Sequence, residues 1–134
     1  MFAAHRNPAS AYRRVGVEIG IETASPHKLT TMLFDGALER IAQARGAMAR
    51  RETELKGRLI TQAIRIVEEG LRCALDREKG GELAGNLNEL YIYLNTRLLQ
   101  ANLRDDDEAL QECSRLLAQL RDAWAGIATE AKAA

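Results

Sequence analysis

A chain of 134 residues and 14.8 kDa is the size of one ordinary domain and leaves little room for two separate cores. Its 19 Lys plus Arg balance 19 Asp plus Glu, so it lacks the basic excess that repeated phosphate contacts require, and nucleic acid is not an expected partner. The 46% apolar share is unevenly made, with 22 Ala and 18 Leu against 3 Val, six aromatics and 2 Pro, and that mixture favours helix. No apolar run approaches the roughly 18 residues of a membrane span, and the first 30 residues lack an apolar signal core, so a cytosolic protein without membrane insertion is expected. Cys73 and Cys113 stand alone without a CxxC, which suits reduced, buried thiols.

The chain divides at Ser25-Pro26. Residues 1–25 hold Pro8, the basic cluster Arg6, Arg13 and Arg14, and a stretch in which Val17, Ile19 and Ile21 alternate with Glu18, Gly20 and Glu22. A short helix near 9–15 followed by an apolar strip at period two makes this an N-terminal cap segment able to lie against something. Ser25 can then accept an orphan amide hydrogen bond, and Pro26 is preset for the first helical position. A helical body over residues 26–134 follows.

Four helices are predicted there. The first covers about 26–50 and the second about 53–76, separated by the polar run 50–53. The third covers about 82–104, after the Lys79-Gly80-Gly81 break, and the fourth about 106–129, after the acids Asp105, Asp106, Asp107 and Glu108, which suit a helix N-terminus. Helices of this length are each on the order of 35 Å long. Short connections between four of them describe an all-α, antiparallel up-and-down four-helix bundle with an N-terminal cap.

Helical-wheel placement at about 100° per residue decides which faces are apolar. The fourth helix has one stripe of Leu110, Cys113, Leu117, Leu120, Trp124 and Ile127. The first and second carry broad apolar arcs, the second including Ile64 and Leu71. The third helix is apolar on two sides. Its core stripe is Leu83, Leu87, Leu90, Tyr91, Leu94, Leu98 and Ala101, while Ile92, Leu99 and Leu103 fall nearly opposite, edged by Asn88, Asn95, Thr96 and Asn102. Burying an aliphatic side chain contributes roughly 1.5–3 kcal/mol, so three left in water hold several kcal/mol of unused association free energy.

Two coverings compete for that rear stripe. Residues 1–25 could pack permanently, through Tyr12, Val15, Val17, Ile19 and Ile21, over it or across the broad arcs of the first two helices, or they could form a removable lid over a groove that takes an amphipathic segment of another protein. A second copy of the chain could also bury it, so monomer and homodimer both stay open.

Catalysis has little support in the residues. His5 and His27 are the only histidines, and the sequence contains no HExxH, no ExxH, no Gly-rich phosphate loop and no GxSxG. Gly80-Gly81 reads as a turn and His27 as an exposed or capping residue. Trp124 and Tyr91 read as core, and the pairs Glu108 with Glu112 and Arg121 with Asp122 as solvated surface. A small cofactorless all-α enzyme would need cations pointing into the bundle, and only Arg97 borders the core stripe. No enzymatic activity, cofactor or metal is expected.

The stretches 24–38 (ASPHKLTTMLFDGAL), 80–94 (GGELAGNLNELYIYL), 97–102 (RLLQAN) and 120–124 (LRDAW), with the leading Ala11-Tyr12, resemble the flagellar secretion chaperone FliS family in order and spacing over nearly the whole chain. Leu94 stands where the family usually has methionine, a volume-conserving exchange. The resemblance implies an export chaperone. Such a chaperone binds the C-terminal segment of flagellin in the cytosol, prevents premature polymerisation and presents the subunit to the flagellar export apparatus, without catalysing a reaction. It also implies that the flagellin tail, disordered when free, folds into helices as it wraps the chaperone, which requires a large apolar surface. Tyr12 corresponds to the family's leader tyrosine and is expected to seat the lid, with Val15 and Ile19 of the apolar leader beside it. The wheel argument puts Ile92, Leu99 and Leu103 in the groove, Asn95 and Asn102 on its rim, and Ile64 and Leu71 in a second apolar patch.

Overall fold

The computed structural model describes residues 25–133, with side chains through residue 127. The described residues form α1 (Pro26–Ala49), α2 (Thr53–Arg65), which runs directly into a π-helical segment (Ile66–Arg72), α3 (Arg77–Arg104) and α4 (Asp107–Ala133). Helix α1 packs against α2 and α4, and α3 packs against α4, α2 and the π segment. With turns of a few residues between neighbours, this is the antiparallel four-helix bundle expected from the sequence. Residues 1–24 of the expected cap segment lie outside the described residues.

Three of the four helices begin at a side-chain cap, and the helix at Thr53 begins without one. The Ser25 hydroxyl accepts from the Lys28 amide at 3.1 Å ahead of Pro26. Asp76 caps α3 by accepting from the amides of Glu78 and Lys79, and Asp106 caps α4 by accepting from the Ala109 amide at 3.2 Å. Helix α1 closes with paired bonds from Arg51 N to Met48 O and from Glu52 N to Ala47 O, the Schellman arrangement, although its left-handed position is filled by Arg51 (φ 58°) and not glycine.

The core joins Leu33, Ile41, Ile60, Ile66, Leu94, Leu98, Leu110 and Leu117, all fully buried. Burial pushes the Tyr91 phenol up to about 12, and the buried Cys113 thiol likewise to about 12. Lys56 is the one buried charged residue among the described residues, 4% exposed. Its ammonium donates to the Asn102 carbonyl at 2.9 Å and pairs with Asp105. A cation is thereby set against the carbonyl end of α3, where the helix dipole favours it.

Four expectations need correction. The second helix does not stay α-helical to Asp76: from Ile66 it widens to i→i+5 bonding, with Cys73 N to Glu68 O at 3.1 Å, and ends at Arg72. That wider turn draws Ile66, Val67, Gly70 and Leu71 together into the core. Leu83 is 65% exposed and not a core residue, because it lies just past a backbone kink at Gly81 at the open end of the bundle. Ile127 is exposed because α1 begins opposite Trp124, leaving the next turn of α4 without a facing helix among the described residues. His27 is neither free nor a cap: its ring stacks on Trp124 with centroids 4.5 Å apart. Its Nε2–H donates to the Trp124 carbonyl at 2.9 Å, and Trp124 Nε1–H donates to the His27 carbonyl at 3.0 Å.

Candidate functional site: an apolar stripe on α3 and a cleft at the bundle end

The sequence pattern that gives α3 two apolar sides is realised in three dimensions. Tyr91, Leu94, Leu98 and Ala101 are buried, whereas Ile92, Leu99 and Leu103 are 44%, 52% and 77% exposed. The stripe survives because the helical period places these three residues away from α2 and α4, between the flanks that touch them. The Thr96 hydroxyl donates to the Ile92 carbonyl one turn back at 3.0 Å.

The two flanks are tied down by polar contacts. On the α4 side, Tyr93 and Arg97 both donate to Glu112, Arg97 through Nε at 2.8 Å, and Arg97 also reaches Gln100. Hydrogen bonds from Tyr93 and then Arg97 hold the Glu112 carboxyl below its ordinary range. Arg97 is thus an ion-paired surface strut and does not point into the core, and Glu112 is more than solvated surface. Arg121 similarly reaches across to Asp35 on α1.

On the other flank, Asn88 accepts from Arg72 Nε at 2.9 Å, and Arg72 also pairs with Glu68. Asn95 Nδ2 donates to Glu68 at 3.4 Å, while its Oδ1 is buried. The Asn102 side chain lies beside Gly57, and its carbonyl is held by Lys56. Asn88, Asn95 and Asn102 therefore recur every seven residues along the seam with α2 and the π segment. Asn95, expected as a rim hydrogen-bonding group, is engaged with Glu68 on that seam, and Asn102, expected in the same role, lies beside it.

The second expected patch is differently placed. Ile64 is half-buried against the core. Leu71 is 4% exposed and is a core residue, because the π turn rotates it inward; only its edge reaches a surface cleft. Tyr12, Val15 and Ile19, the expected lid residues, lie outside the described residues.

That cleft, of about 380 Å³, was not foreseen from the sequence. It opens at the end of the bundle between the π segment and the start of α3, and is lined by Phe34, Leu71, Leu75, Leu83, Leu87, Tyr91 and Trp124, with Asp76 and Lys79 at its edge. The Gly80-Gly81 break was its only local sign; the convergence of residues from four elements has no counterpart in sequence spacing. Among the described residues, no helix is long and apolar enough to cross a membrane, and no group of three or more His, Cys, Asp and Glu could hold a metal ion.

A family model described as flagellar protein FliS matches residues 8–131. The chain is 46% identical over 121 residues to the flagellar secretion chaperone FliS of Salmonella typhimurium, covering 90% of each chain. It is 50% identical over 116 residues to the flagellar secretion chaperone FliSB of Pseudomonas aeruginosa, covering 87% of this chain and 91% of that one. Against the Bacillus subtilis flagellar secretion chaperone FliS it is 35% identical over 119 residues, covering 89% and 84%. With a bundle whose third helix shows an apolar side to solvent, and with family likeness along nearly its full length, this chain belongs to the FliS family of flagellar proteins.

Proposed function

We propose that this chain is an export chaperone for flagellin, holding the C-terminal segment of its guest in the cytosol, preventing premature polymerisation and delivering it to the flagellar export apparatus. The observation that carries this reading is the exposed stripe Ile92, Leu99 and Leu103 on an otherwise well-packed bundle; its relatives' shared description as flagellar secretion chaperones supports it. A guest that folds on binding loses conformational entropy, and a mostly apolar contact offsets that loss while leaving few buried ion pairs to break at release. The task requires no catalysed reaction, cofactor or metal.

Asn95 and Asn102 retain a share in the rim through whatever hydrogen-bonding capacity the α2 seam leaves free. Ile64 and the edge of Leu71 extend the apolar contact toward the cleft. Residues 1–25 act as a lid, with Tyr12, Val15 and Ile19 seated on apolar surface until flagellin displaces them.

The combined substitution Ile92→Asp and Leu99→Asp tests the groove. Helicity should persist while capture of the flagellin C-terminal segment is lost; capture at the original level would remove the stripe from the binding surface. Deleting residues 1–20 tests the lid. The guest on-rate should rise, and an unchanged rate would make the segment a permanent brace.

A further inference from the structure

Helix α3 is continuous only in outline. Gly81 has φ 54° and ψ −130°, a conformation that L residues with a side chain scarcely adopt. It separates the single turn Arg77–Gly80 from the long helix that follows. This turn is exposed throughout and is held at its start by the Asp76 cap. Asp76, Lys79 and Gly80 nevertheless form one wall of the apolar cleft, whose other sides are fixed by the buried residues Phe34, Leu71 and Tyr91.

The pivot itself is unpacked, since a Cβ built on Gly81 would meet no atom within 4 Å. The cleft thus has three rigid sides and one thin side attached through a glycine. Its lip, Leu83, lies in water beside about 380 Å³ of apolar space. Leu83 and Ile92 are on the same helix, about 14 Å apart along its axis at ~1.5 Å per residue. A chain wrapping the end of α3 would pass from the stripe to the cleft.

We propose that Gly81 is a hinge and that the Asp76–Gly80 turn is a flap that closes over the cleft when an aliphatic segment of the flagellin guest enters it. This rests on the chaperone reading and adds a moving part to it. Closure buries Leu83 and the aliphatic stem of Lys79 over the occupant, and the short link from the π segment limits the flap to a swing.

Native chemical ligation at Cys73 allows the test, because a synthetic 73–134 segment can carry Gly81→D-Ala. The observed backbone angles mirror those of an extended L residue, so a D residue accepts them and the resting geometry is kept while the pivot is stiffened. The probe is 1-anilinonaphthalene-8-sulfonate, followed by energy transfer from Trp124, the sole tryptophan and a cleft-lining residue. If closure requires the pivot to move, dye association slows by about tenfold with unchanged helicity. Association as fast as in the all-L chain, or no transfer from Trp124 in that chain, overturns the hinge.

Amide exchange on the unaltered protein gives a second reading. Amides 77–81 should gain about tenfold protection when dye is bound, and unchanged protection overturns the flap. Flagellin capture run in parallel keeps the two ideas apart. Normal capture with failed dye tests removes the flap alone, and absent capture by the unaltered chain removes the chaperone reading.

Discussion

Replacing Leu99 and Leu103 together by glutamine isolates the contribution of the α3 stripe to guest binding. Both residues are exposed, so neither change opens a cavity, and glutamine is nearly as good a helix former as leucine. Complete burial of an aliphatic side chain contributes about 1.5–3 kcal/mol. With 52% and 77% of their surface still in water, the two leucines together make about 2–4 kcal/mol available to a partner that covers them. Each ~1.4 kcal/mol is a factor of ten, so affinity should fall by roughly 30- to 700-fold. The assay is titration calorimetry with the flagellin C-terminal segment, beside thermal unfolding by circular dichroism, where stability should move by no more than about 0.5 kcal/mol per site. An affinity within about threefold of the parent, with the fold intact, would refute the premise that exposed apolar area on α3 is the binding surface.

The remaining predictions concern what holds the bundle. Arg51→Gly relieves a left-handed backbone at the α1 terminus and should stabilise the protein by about 1 kcal/mol, visible as a higher urea midpoint with unchanged slope. Lys56→Met keeps the stem but leaves the Asn102 carbonyl without its buried donor, and should cost about 1–3 kcal/mol in the same assay. Glu112 is held below its ordinary value of 4.5 in the folded state by Tyr93 and Arg97. Its contribution is therefore fully present above about pH 4.5 and is lost as the pH falls through the lower folded value. Glu112→Gln should accordingly lose less stability than the parent between pH 5 and the acid limit, and an identical acid profile would deny the network any part in folding.

Much of the architecture was legible because it depends on local rules. Ser25-Pro26 and the acids before α4 announced their helices, and the 100° period of α3 separated Leu94 and Leu98 from Ile92, Leu99 and Leu103 without any knowledge of neighbours. Leu71, Leu83 and Ile127 were misplaced for one shared reason: a helical wheel assumes a regular α-helix with uniform surroundings. The π turn breaks the first assumption at Leu71, the Gly81 kink breaks it at Leu83, and the offset between the ends of α1 and α4 breaks the second at Ile127. Asn95 and Arg97 were read as facing open space or core because their partners, Glu68 and Glu112, lie 27 and 15 residues away.

The amino-acid sequence by itself determined the four helices of the described residues and an α3 with more apolar surface than the bundle core consumes. Helix boundaries and facial patterns are set by interactions within about one or two turns, which spacing along the chain records directly. Only the tertiary structure decided which polar residues are occupied along the α2–α3 seam, that His27 and Trp124 clasp α1 to α4, and that a cleft opens beside Gly81. Those features come from residues far apart in the chain meeting at one place, and that meeting depends on the packing of whole helices.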